Sequence, residues 1–197
     1  MSRKTRKIVG VDLSGRDGKA SGFCLIYNAT ITAIGEFKTL KYLLEYLLML
    51  RPDIVAIDSP LGYPAEGPYR DCDLLLKKEG LSPLPLNMLG MQQLIRRAII
   101  IVRNLEKKTR AICIETFPFG ALRLLGFKRK PRNFHERKKY FGIIRTLFNL
   151  KSIVDANRLT KDEFDAFICA VVGYAFSIGK YKEYLGKDCR IILPKSK

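Results

Sequence analysis

At 197 residues and 47% hydrophobic content, the chain is long enough for one domain with a substantial buried core. Its 36 Lys and Arg against 19 Asp and Glu give a formal charge of +17, an imbalance that favours a polyanionic partner. Nucleic acid fits that charge better than an anionic membrane surface, because no basic amphipathic helix with a clean apolar face stands out.

The basic start, Met1 to Lys7, lacks the apolar core of a signal peptide, which predicts a cytoplasmic protein. The run Ile8-Val9-Gly10-Val11-Asp12 then reads as a strand buried on both faces and tipped by an acid. Two further strands, Gly22 to Tyr27 and Ile31 to Phe37, follow around Asn28 as an antiparallel meander. Leu40 to Leu50 has helical spacing, with Leu43, Leu44, Leu47 and Leu48 in one apolar stripe. That helix leads to a second acid-tipped run, Ile54-Val55-Ala56-Ile57-Asp58, and as a crossover it places the two strands parallel.

A Pro- and Gly-rich insertion occupies about 59–87, with a short charged helix inside it from Tyr69 to Glu79. Insertions beside strand ends commonly serve as lids or binding loops. A helix over Met88 to Glu106 precedes the third acid-tipped run, Ile112-Cys113-Ile114-Glu115. Seven basic residues crowd between Lys128 and Lys139, interleaved with Phe134 and His135. Such a segment suits a phosphate backbone and stacked bases, and it equally suits a solvated loop and helix start. A capping box at Thr160 to Glu163 opens the last helix, and the uncharged stretch Ala166 to Gly179 falls short of a membrane span and reads as core. A strand from Cys189 to Leu193 precedes a basic tail.

Parallel neighbours would open the three acid-tipped ends into one crevice, where α/β sheets bind ligands. Taken singly, Asp12 and Asp58 are explained as turn-forming residues. Asp165 changes the balance: with Ile168, Cys169 and Val172 it falls on the core-facing stripe of the last helix, where an unpaired carboxylate costs several kcal/mol. Asp162 lies on nearly the same face, but the helix dipole alone justifies an acid there. Glu115 lies two strand spacings, about 10 Å, from the first strand if the second acid-tipped strand sits between them, which suits contact with substrate instead of metal; pairing with one of the many arginines accounts for it as well as a ligand role does. With a single histidine, neither a Ser-His pairing nor a histidine-rich metal cluster can be assembled. The five scattered cysteines form no Cys-x-x-Cys pair, which argues against structural zinc and for buried reduced thiols, although disulfides occur in some hyperthermophile cells.

The element order resembles the ribonuclease H-like fold, here a mixed five-stranded sheet flanked by helices in a single domain over 1–197. Asp12 matches that fold's metal-binding Asp. Asp58-Ser59-Pro60-Leu61-Gly62, Arg70-Asp71-Cys72-Asp73, Glu115-Thr116-Phe117-Pro118 and Asp162-Glu163-Phe164-Asp165-Ala166 together resemble domain of unknown function family 429, regarded as predicted nucleases. Asp162 and Asp165 also resemble the metal-binding last-helix acids of bacterial Holliday-junction resolvases. The resemblance runs from Lys7 to Pro194 and implies metal-ligand roles for Asp12, Asp58 and Asp165, with Asp162 auxiliary. In the first helix, Glu45 is the available counterpart of the ribonuclease H helix acid.

The resulting expectation is a nuclease in which two Mg²⁺ or Mn²⁺ ions, roughly 4 Å apart, drive phosphodiester hydrolysis of DNA or RNA. The catalytic set is Asp12, Asp58, Asp165, Asp162 and Glu115. Arg70, Lys128, Arg129, Lys130, Arg132, Arg137 and Lys138 are the expected nucleic-acid contacts. The alternative is a non-catalytic nucleic-acid-binding module on the same fold. A third reading, from the likeness of Asp12-Leu13-Ser14-Gly15 to the phosphate loop of actin-like ATPases and sugar kinases, meets the objection that those enzymes need two such domains.

Overall fold

A computed structural model describes residues 6–195. The reading of the extreme N terminus rests largely on residues 1–5, and the basic tail in part on residues 196 and 197, which lie outside that range. The first acid-tipped run forms β1 (Lys7–Asp12), followed by the antiparallel β2 (Ser21–Tyr27) and β3 (Thr30–Phe37). Asn28 and Ala29 join these two strands with φ of 48° and 60°, the paired positive values that a tight two-residue hairpin requires. Helix α1 (Leu40–Leu50) is capped by the Thr39 side chain, buries Leu43 and Leu47, and ends at Arg51 in the left-handed conformation. It delivers β4 (Ile54–Asp58) parallel to β1.

Next come α2 (Asp71–Lys78), α3 (Leu89–Lys108) and β5 (Ile112–Glu115), the last parallel to β4. After α4 (Pro118–Leu124) and α5 (Phe134–Leu147), the chain adds β6 (Lys151–Ser152), α6 (Lys161–Ser177), β7 (Tyr181–Leu185) and β8 (Arg190–Pro194). The sheet runs β6-β3-β2-β1-β4-β5-β8-β7. It has eight strands rather than the expected five: the strand expected over Cys189 to Leu193 joins the sheet as β8 beside β5, and β6 and β7 are added at the edges. The two-residue β6 merely extends the edge beside Thr30 and Ile31, and β7 is an exposed edge strand that buries Tyr184 alone, so neither carries an apolar run.

Strand alternation divides the core in two. Ile8, Ile54, Ala56 and Ile114 face α6, whereas Val9, Val11, Val55 and Ile57 pack on Leu43 and Leu47 of α1 and on Ala98, Ile101 and Leu105 of α3. Helix α6 is apolar nearly all round, as expected of a helix enclosed on every side, and buries an unbroken run from Phe164 to Gly173. Among the described residues no helix is long and apolar enough to cross a membrane.

Cys72 and Cys189 are joined in a disulfide, which corrects the expectation of five reduced thiols; Cys24, Cys113 and Cys169 are free. The bond ties the start of α2 to the β7–β8 turn, with Cα atoms 5.9 Å apart, across 117 residues of sequence. Such a separation hides the pair from any reading of spacing.

Candidate functional site

Asp12 follows Ile8 and Gly10 on the α6 side of β1, and Asp58 follows Ile54 and Ala56 on the same side of β4. The parallel register pairs Asp12 with Asp58, so the two carboxylates leave adjacent strand ends toward one helix. That helix lies very close to the sheet because two positions have no side chain. A Cβ on Gly10 would come within 2.1 Å of the Ala170 nitrogen, and one on Gly22 within 2.1 Å of the Asp162 carbonyl oxygen. The first turn of α6 is fixed by the expected capping box: Thr160 Oγ1 accepts from the Glu163 amide at 3.1 Å, and the Thr160 amide donates to Glu163 at 2.8 Å. Asp165, 3% exposed, then points at the strand ends, and half-buried Asp162 lies one turn earlier.

The proton affinities of these acids follow from their closeness. Burial, then the charges of Asp58, Asp165 and Asp162, push Asp12 up from 3.8 to about 8. Burial also lifts Asp58 to about 7, with Asp165 and Glu115 raising it further and Lys130 and Lys161 opposing. Asp165 accepts a 2.7 Å ion-paired hydrogen bond from Lys130 Nζ. Lys130, expected on the outer phosphate-binding surface, therefore reaches inward instead, and its ammonium partly offsets the charge of Asp12 and Asp58 as well.

Glu115 lies across the sheet from this group. In the register it pairs with Ile57, not Asp58, so it faces the opposite side. There it receives Arg70 Nη1 at 2.8 Å, Arg70 Nη2 at 2.5 Å and the Leu61 amide at 2.9 Å. Arg70 also donates through Nε and Nη2 to Asp73, each at 3.0 Å. All three guanidinium nitrogens are thus engaged with buried carboxylates, which corrects the expected phosphate contact by Arg70. Burial pushes Glu115 upward while Arg70 pulls it down.

The residue in line with Asp12 and Asp58 is Thr116, just past the end of β5, whose amide continues the ladder by donating to the Ile57 carbonyl at 3.0 Å. Its hydroxyl is buried and has no hydrogen-bond partner. Sequence reasoning passed over it, although the signal was present: the third apolar run reaches its acid one residue sooner than the other two.

The expected basic surface is partly free. Lys128, Arg132 and Lys138 are exposed, Arg129 clamps Glu136 through hydrogen bonds of 2.6 and 2.7 Å, and Arg137 donates to the Leu159 carbonyl at 2.7 Å. A cleft of about 600 Å³ between α5 and the cap of α6 is lined by Phe134, His135, Arg137, Lys138, Arg158 and Thr160.

Every donor offered by Asp12, Asp58, Asp165 and Thr116 is a hard oxygen, the chemistry that suits Mg²⁺ or Mn²⁺. No protein group among the described residues hydrogen-bonds the Asp12 or Asp58 carboxylate. The donor chemistry and the shortage of positive charge fit a divalent cation. As they stand, however, no three His, Cys, Asp or Glu side chains among the described residues are grouped closely enough to hold one.

Residues 10–190 match the family described as Protein of unknown function (DUF429). The chain belongs to that family. No curated protein matches this DUF429 chain. Among solved structures it is similar to T. thermophilus RuvC in complex with Holliday junction substrate, at 13% identity and TM-score 0.52, covering 88% of this chain and 96% of that one. The Thermus thermophilus RuvC structure gives 14% identity, TM-score 0.49 and the same coverage. The first of these shows the fold: this DUF429 protein has the mixed α/β architecture of that RuvC structure.

Proposed function

We propose that this protein is a nuclease that hydrolyses phosphodiester bonds of nucleic acid with the help of two Mg²⁺ or Mn²⁺ ions. The observation that carries the reading is the meeting of Asp12, Asp58 and Asp165, from β1, β4 and α6, on one face with too few cations around them. Carboxylates kept together against their mutual repulsion have a use for positive charge that the protein does not itself supply. Asp12, Asp58 and Asp165 would hold the ions, with Asp162 auxiliary. When bound, such ions activate water and neutralise the leaving oxygen.

The remaining work belongs to the chain. Lys128, Arg132 and Lys138 seat the phosphate backbone, and Arg129, locked to Glu136, stiffens the loop that carries the first two. Glu115, clamped by Arg70, anchors Leu61 and so the start of the insertion across the strand ends. It acts on the site by position rather than by contact.

Asp12→Asn and Asp165→Asn are expected to lower Mg²⁺- or Mn²⁺-dependent cleavage of DNA or RNA by at least about 10²-fold while leaving the circular dichroism spectrum unchanged. Cleavage at wild-type rate in either variant overturns the proposal. The inward-facing Lys130 favours a second reading, a binding module that no longer cuts. Salt-sensitive binding without hydrolysis, across both metals and both nucleic acids, would select it.

A further inference from the structure

We infer that Lys130 is a tethered counter-ion that holds the carboxylate pocket in its metal-free form and is displaced when a divalent cation enters. The inference rests on the reading of Asp12, Asp58 and Asp165 as ion ligands. Lys130 Nζ lies 2.7 Å from Asp165 Oδ2, and Asp165 faces the adjacent strand ends that carry Asp12 and Asp58, so the ammonium occupies the pocket that the three acids share. An ammonium and a divalent ion cannot share those oxygens without strong repulsion, because two like charges a few ångströms apart in a protein interior oppose each other by far more than in water. A divalent ion carries enough charge to draw all three acids into their ionised form, releasing the protons that the crowded pocket otherwise keeps, which a single ammonium does not.

The surroundings confine the exchange to one side chain. On one side of Lys130, the Lys128 carbonyl is held by Arg123 Nη1 at 3.0 Å; on the other, the Arg132 amide donates to Glu136 at 2.8 Å. Arg129 clamps the same Glu136, and Asn133 caps α5 by accepting from the Glu136 amide at 3.0 Å. The loop backbone is therefore pinned before and after position 130. The Lys130 side chain is 36% exposed and carries its charge on a flexible four-carbon stem, so it swings outward by rotamer change without the loop opening. Its outward position lies in the same basic loop as Lys128 and Arg132, where an anionic strand would meet it. The lysine thus guards the pocket when empty and joins the phosphate-binding surface when the pocket is filled.

The test labels surface amines with an acylating reagent and reads each lysine by mass spectrometry, with and without Mg²⁺, while calorimetry follows Mg²⁺ binding. Lys130 is expected to react slowly in the metal-free protein and at least about threefold faster with saturating Mg²⁺, while Lys128 and Lys138 stay unchanged. In the second arm, Lys130→Met is expected to bind Mg²⁺ at least about tenfold more tightly than wild type, and Lys130→Arg within about twofold of it. If wild type binds Mg²⁺ while Lys130 labelling stays constant, or if Lys130→Met leaves the affinity unchanged, the counter-ion inference is overturned and the nuclease reading stands. If neither wild type nor Lys130→Met binds Mg²⁺, both are overturned. The labelling arm uses the wild-type chain, so it decides the matter even if a variant fails to fold.

Discussion

Asp12 and Asp58 leave neighbouring strand ends side by side, and their proton affinity follows from that placement. Burial and the fields of Asp58, Asp165 and Asp162 hold Asp12 protonated up to about pH 8, against 3.8 for an ordinary aspartate. Between those values the unfolded chain releases the proton that the folded chain keeps. Ionisation then stabilises the unfolded state, so this residue's contribution to stability falls as pH rises from about 4 to 8 and levels off above. Asp12→Asn removes the liability while keeping the shape. Its melting temperature, measured without metal, should match wild type near pH 4 and exceed it by roughly 2–4 °C or more at pH 8.5. A difference that does not change with pH would mean that Asp12 is not crowded by other acids. Thr116 is the member of the same row that is not an acid, and its orphaned hydroxyl offers a donor and an acceptor at every pH.

Among the elements, β5 and α2 lock together through a buried ion-pair triad of Arg70, Asp73 and Glu115, each no more than 6% exposed. Removing the cation strands two buried carboxylates, a loss of about 3–5 kcal/mol for a pair broken from one side. Arg70→Met should therefore lower the denaturation midpoint sharply. Arg70→Met combined with Glu115→Gln and Asp73→Asn should recover much of it, because no unpaired charge is left. Failure of the triple variant to recover would mean that the bidentate geometry, not charge balance, holds the insertion in place. The partnership was half legible. The apolar runs marked β1, β4 and β5, the first two because strands buried on both faces admit little else and β5 despite an exposed Ile112 at its start, and the stripe through Asp165, Ile168, Cys169 and Val172 marked the buried face of α6. That Glu115 turns away from Asp58 follows from an odd step in register, which the run lengths contain but which needs the strand pairing to interpret. Arg70 and Lys130 were illegible for a different reason. A long flexible side chain on a loop or helix cap takes its direction from tertiary partners, and both were read as surface cations because basic residues usually are. Edge strands β6 and β7 and the Cys72–Cys189 bond left no local pattern at all.

At the scale of the whole molecule, a net charge of +17 coexists with a pocket made of acids. The two are compatible because they act over different distances. The outer charge draws in a polyanion over roughly a Debye length, about 8–10 Å at ordinary salt, while the acids act within a few ångströms and only on what enters the pocket. If the protein acts on nucleic acid as proposed, a phosphate backbone brought against the acids alone would be repelled, and the basic segment from Lys128 to Lys138 would carry the contact. Not every cation of that segment is free to do so, since Arg129 in the loop and Arg137 in the first turn of α5 already have internal partners. Lys128, Arg132 and Lys138 remain exposed and are the residues expected to release counterions on binding. Replacing all three by alanine should weaken binding to a single-stranded oligonucleotide and reduce the slope of log K against log salt by about 2, at roughly 0.7 for each phosphate no longer neutralised. Arg129→Ala should change the slope little and act instead by loosening the loop, seen as a lower melting temperature. Equal slopes for the triple variant and wild type would move the nucleic-acid interface away from the carboxylate pocket, and the large net charge would then serve a surface elsewhere on the molecule.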